Sequence, residues 1–150
     1  MKKYKNCKLQ VNETLYDRGE DMENQIFENV DCVSFYVDDL EKGMSYYIDK
    51  MGLKLIWKTH DSCGLGMDND ITEVVLTTEK VPAIQFKVNS VEEVLPKIVS
   101  AGGKVIYGPF HIDIGLCAVI SDPWNNSYCI LDMTNGTYQV DTDGNVTGVK

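Results

Sequence analysis

The feature that most constrains this chain is that it repeats itself. Displaced by 51 positions, Val37 falls on Val88, Leu40 on Val91, Gly52 on Gly103 and Leu55 on Ile106. In the first copy Val33, Phe35 and Val37 alternate with Cys32, Ser34 and Tyr36, the period of a strand with one buried face. Asp38-Asp39 then offers carboxylates to the free amides of a first helical turn. Leu40, Met44, Tyr47, Ile48 and Met51 follow at helical spacing, and Gly52 can adopt the left-handed conformation that ends a helix. Strands are expected at Leu53–Trp57, Gly64–Met67 and Thr72–Thr78, with Asp68-Asn69-Asp70 as a turn.

The second copy repeats this order. Ile84, Phe86 and Val88 alternate with Ala83, Gln85 and Lys87, and Ser90-Val91-Glu92-Glu93 has the form of a capping box. Val91, Val94, Leu95, Ile98 and Val99 make the helical stripe, which Gly102-Gly103 closes. Pro96 lies inside that helix and is expected to bend or weaken it. Lys104–Tyr107, Leu116–Ser121 and Tyr128–Met133 supply the remaining strands, with Asp122-Pro123-Trp124-Asn125-Asn126 turning between the last two. Two copies of a βαβββ unit are too few for a solenoid.

Outside the repeat, residues 1–28 show neither period and read as an N-terminal extension, one short helix or strand packed on the domain. The tail, 135–150, reads as a terminal β-hairpin around Asp143-Gly144. An EF-hand loop with Gly144 at its sixth position would place Lys150 where the bidentate glutamate belongs.

Composition excludes several function classes. A net charge of −9 over 150 residues opposes nucleic acid and anionic membrane surfaces. No apolar run approaches the roughly 20 residues of a membrane span, and the basic Met1-Lys2-Lys3-Tyr4-Lys5 lacks the apolar stretch of a signal peptide. Five widely spaced cysteines without a CxxC favour reduced thiols and a cytoplasmic protein. A Ser-His-Asp order, a P-loop and a dinucleotide glycine fingerprint are all missing.

The two βαβββ modules (about 30–79 and 81–134), Val37-Asp38-Asp39-Leu40, Tyr46-Tyr47 before Met51-Gly52-Leu53, and Asp122-Pro123-Trp124-Asn125-Asn126 together resemble the vicinal-oxygen-chelate superfamily. That superfamily includes glyoxalase I, ring-cleaving dioxygenases and bleomycin-resistance proteins. The resemblance spans a domain of residues 29–134. It implies an α+β fold in which the modules form an incomplete eight-stranded barrel around a cup, commonly in a homodimer. Its metal-ligand positions fall on Cys32, Val75, Ala83 and Cys129, of which Val75 and Ala83 have no donor atom. No cofactor is therefore expected, a divalent metal least of all. A shifted register with Glu73 beside Cys32 and Cys129 is the one arrangement that could restore a soft-metal site.

If Cys32 faces the cup, alternation brings Ser34 and Tyr36 with it, and Gln85 and Lys87 join from the second module. Glu73 is the candidate catalytic base. Cys32, Ser34, Tyr36, Gln85, Lys87, Cys129, His111 on a bordering loop and Trp124 are the candidate ligand contacts. His60 reads as a surface residue, and Trp57 as either core or a stacking surface. The leading expectation is a metal-independent protein that encloses a small organic molecule. The alternatives are a lactoylglutathione-lyase-like or epimerase-type enzyme around Glu73, and an interaction protein whose cup is filled.

Overall fold

The computed structural model describes residues 25–150. The reading of 1–28 as an extension falls, up to residue 24, outside the described residues, and Cys7 with it. The first module is β1 (Asn29–Tyr36), helix α1 (Leu40–Met44), β2 (Lys54–Lys58), β3 (Ser62–Met67) and β4 (Asp70–Thr77). The second is β5 (Ile84–Lys87), α2 (Val91–Ser100), β6 (Lys104–Ile112), β7 (Gly115–Ser121) and β8 (Ser127–Leu131). A separate hairpin, β9 (Tyr138–Val140) and β10 (Val146–Val149), follows.

Eight strands form one mixed sheet in the order β2-β3-β4-β1-β5-β8-β7-β6. Each module contributes one half, and the halves meet where β1 runs antiparallel to β5. Val33 there pairs with Ile84, its own equivalent 51 positions on. In an antiparallel ladder only residues at a dyad pair with their own equivalents, so the sequence repeat has become a pseudo-two-fold axis through this pair. The parallel pairs β1–β4 and β5–β8 flank it symmetrically. The fold is the α+β pair of βαβββ modules that the repeat implies.

Both helix starts are capped as the sequence dictates. The Lys42 amide donates to Asp39 Oδ1 at 3.0 Å and the Glu93 amide to Ser90 Oγ at 3.3 Å, each satisfying an amide that the helix leaves free. The helices differ beyond the cap. The single helix expected from Leu40 to Met51 is α-helical only to Met44 and widens into a π-helical turn over Ser45–Lys50. That winding carries Met51 to the surface, at 52% exposure, and off the apolar stripe. α2 is unbroken through Pro96, whose side is exposed, so the Glu92 carbonyl it leaves without an amide partner can be hydrated.

Between the outer face of the sheet and α2, Val88, Val91, Val94, Ile98, Ala118, Ile120 and Ile130 form the core of the second module. Met44, Cys63, Leu65 and Leu76 form that of the first. Asp132 is buried at 1% exposure, and its carboxylate accepts from the amides of Val91, Leu116 and Thr134 and from the Thr134 hydroxyl. It ties the start of α2 to the end of β8. No helix among the described residues is long and apolar enough to cross a membrane.

Candidate functional site

The concave face of the sheet carries a cavity of about 440 Å³, within the range of small-molecule sites. Strand alternation brings Cys32 and Ser34 from β1, Glu73, Val75 and Thr77 from β4, and Gln85 from β5 to its floor. The register aligns them further. Cys32 lies opposite Glu73 on one side and Gln85 on the other, and Gln85 lies opposite Cys129, so four candidate side chains cross four adjacent strands in one row.

Glu73 is the most elaborately held of these. Its Oε2 accepts a 2.8 Å hydrogen bond from the Trp57 indole N–H. Gly64 makes this approach feasible, since a Cβ there would stand 2.6 Å from Glu73 Oε2 and collide with the indole nitrogen as well. Burial raises the Glu73 carboxyl above the usual glutamate range, the Trp57 bond works against that rise, and the neighbouring Asp31 charge adds to it. Gln85 Nε2 donates to Ser34 Oγ at 2.9 Å, which leaves the amide oxygen of Gln85 available to a ligand.

Two parts of the wall have no counterpart in the reading of the sequence. A bulge between Val30 and Cys32 rotates Asp31, so that consecutive residues Asp31 and Cys32 both line the cavity. Strict alternation would place Asp31 on the opposite face. Burial also raises the Asp31 carboxyl, against the pull of Lys87. The C-terminal hairpin forms the second part, since Thr137, Tyr138 and Val140 line the cavity. The Tyr138 ring lies 5.2 Å from that of Trp57, and the Lys58 amide donates to Gly144 O at 2.8 Å. The Asp-Gly turn was legible in sequence. Its docking on β2 was not.

Five of the expected contacts stand away from the cavity. Tyr36 is 53% exposed beyond the rim, because β1 ends there, with the Lys80 ammonium 5.5 Å from its ring centre. Lys87 is paired with Glu28 at 3.0 Å. His111 belongs to β6, which runs past Tyr107 to Ile112, and is exposed; alternation turns Ile112 inward instead. Trp124 is 79% exposed on the β7–β8 turn. Cys129 is buried beneath the floor in an apolar cluster with Cys117 and Leu131. The Cys117 thiol there is pushed up by its hydrogen bond to Cys129 and by burial.

The donor set does not fit a divalent metal. Val75 and Ala83 offer no ligand atom, and among the described residues no three His, Cys, Asp or Glu side chains converge into a metal-binding group. Burial, with the Asp31 charge beside it, pushes the Cys32 thiol up to about 12. The Glu73 carboxylate is turned to Trp57.

Comparison with solved structures finds this fold in methylmalonyl-CoA epimerase from Mycobacterium tuberculosis, with a TM-score of 0.61 and 14% identity over 73% of this chain and 90% of that one. Homoprotocatechuate 2,3-dioxygenase from Brevibacterium fuscum is also similar, with a TM-score of 0.57 and 22% identity over 73% of this chain and 37% of the larger enzyme. At these identities the likeness shows the fold alone. No curated protein sequence matches the chain. A family model matches residues 29–130, well over half of the chain, and the protein belongs to the Glyoxalase/Bleomycin resistance protein/Dioxygenase superfamily.

Proposed function

We propose that this protein encloses a small organic molecule in the cup between its two modules and does so without the divalent metal of many superfamily members. The observation that carries the reading is the cavity itself. Apolar walls from Ile112, Ile114, Leu131 and Met133 surround a floor where Ser34, Glu73, Thr77 and Gln85 converge. Such a mixture desolvates a ligand while fixing its orientation. A cavity of about 440 Å³ also weighs against a cup filled by its own side chains. Native mass spectrometry and elemental analysis of chelator-free protein test the proposal. The expected result is a substoichiometric or exchangeable organic adduct with no stoichiometric metal. A tightly bound metal ion required for ligand binding would overturn it.

Glu73 favours a second reading, epimerase-type proton transfer at a carbon acid. A carboxyl raised by burial and oriented by Trp57 is a better proton acceptor than a solvated glutamate. Two of the similar solved structures are methylmalonyl-CoA epimerases. On this reading Glu73→Gln abolishes turnover while the fold persists, and unchanged turnover would reject the role. The same proposal includes a cytoplasmic homodimer. The exposed Val105, Ile106 and Tyr107 on edge strand β6 are the apolar surface that a second copy would cover.

A further inference from the structure

The charge of the lining narrows the chemistry that the cup accepts. Three carboxylates border it, Asp31, Glu73 and Glu79, while no Lys, Arg or His is among the described residues that do. Basic side chains around the cup are engaged elsewhere. Lys87 is held by Glu28 and offsets only Asp31. Lys80 stands over the outer Tyr36 ring. Glu73 receives one neutral N–H, from Trp57, and among the described residues neither Glu73 nor Glu79 has a cationic partner.

A carboxylate held in a cavity of low polarity repels an anion and attracts a cation far more strongly than one in bulk water. The Trp57 and Tyr138 rings, with centroids 5.2 Å apart, line the same cavity, and aromatic rings are partners of organic cations. At longer range the net charge of −9 acts in the same sense. We infer that the ligand of this cup is an organic cation, an apolar or aromatic body bearing a protonated amine or quaternary ammonium. The ammonium lies against Glu73 beside Trp57 and Tyr138, and the body lies against Leu131 and Met133. Phosphate- and carboxylate-bearing molecules are rejected by the same wall. This inference rests on the reading of the cup as a ligand site.

Three probes with one aromatic body separate the two claims: 1-naphthylmethylamine, 1-naphthalenemethanol and 1-naphthoate, titrated into the full chain by calorimetry at neutral pH. Amide NMR with the Trp57 indole N–H as reporter locates the site. The expected order is ammonium, alcohol, carboxylate, with the ammonium at least ~tenfold tighter than the alcohol. The Glu73→Gln variant keeps an acceptor for Trp57 and is expected to abolish that preference while still binding the alcohol. Alcohol or carboxylate binding as tightly as the ammonium would overturn the cation assignment and leave the cup reading intact. Ammonium binding that ignores Glu73→Gln and leaves the Trp57 signal unmoved would overturn it too, as attraction to an acidic surface. If none of the three binds at millimolar concentration, both the inference and the cup reading fail.

Discussion

The two modules share a topology and a pseudo-dyad, yet they have divided the labour of the molecule. The second module is built for packing. Its outer side holds seven buried apolar residues, three of them on a ten-residue helix, and its concave face is apolar apart from Gln85, with Cys117, Cys129 and Leu131 packed against Phe110, Ile112 and Met133. The first module has four buried apolar residues under a short helix with a π-helical turn. Its concave face instead carries Asp31, Cys32, Ser34, Glu73 and Thr77. A repeat preserves strand order and register because those decide whether the halves fit. The concave face is free to diverge, because it packs against no helix.

The contrast can be broken most severely at the core of the packing module. Ile130→Ala, at a fully buried position in β8, is expected to cost about 2–5 kcal/mol, since the lost methyl groups leave a cavity that a close-packed core cannot close. Chemical denaturation measures this. A cost under about 1 kcal/mol would show that the second module is no better packed than the first.

In the first module, Gly64→Ala would drive a methyl group into the Trp57–Glu73 pair and is expected to cost about 1–3 kcal/mol. The same change should displace the indole, visible as a shift of its N–H resonance. An unmoved resonance would mean that the pair does not depend on Gly64.

Two carboxylates sharpen the comparison through pH. At Asp132 burial pushes the carboxyl up, but hydrogen bonds from Val91, Leu116 and Thr134 outweigh it and hold the group below the usual range. A depressed folded value gives stability that is present above the unfolded value and is lost as pH falls through the folded one. Glu73 has the opposite sign. Its raised value means that the native state holds the proton more tightly than the unfolded chain, so its contribution is full below the usual glutamate range and is lost as pH rises through the folded value. Thermal melts of Asp132→Asn and Glu73→Gln against the parent should therefore diverge in opposite directions. Asp132→Asn should lose the acid-limb dependence, and Glu73→Gln should be relatively more stable towards neutral pH. Parallel curves would remove the distinction.

The smallest effect is expected at Trp124, exposed on the β7–β8 turn. Trp124→Ala should change stability by less than about 0.5 kcal/mol and leave ligand binding unaltered. A loss of binding would return Trp124 to the site, on a surface that a second copy of the chain would have to complete.

Much of the site was readable because strands enforce alternation. Once the resemblance placed Cys32, Val75 and Ala83 towards the cup, alternation carried Ser34, Glu73 and Gln85 with them, and Cys32, Ser34, Glu73, Val75 and Gln85 all line the cavity. Alternation carries no information about where a strand stops, bends or meets another element. Tyr36 and Lys87 have the right parity but stand past the cavity's edge. His111 was assigned to a bordering loop, whereas β6 continues through Gly108-Pro109 to Ile112 with register shifts. Cys129 lies in the row of candidate side chains but is covered by its neighbours.

The chain's own pattern determined the two βαβββ modules, the caps at Asp39 and Ser90 and the tail's Asp-Gly turn. These are local properties, fixed by periodicity and by the chemistry of single residues. Only the tertiary structure decided that a bulge turns Asp31 inward, that Gly64 lets Trp57 reach Glu73, and that the hairpin brings Tyr138 across to Trp57. Each of those depends on contact between segments distant in sequence, or on a ladder's register, and neither is encoded in any window of the chain read alone.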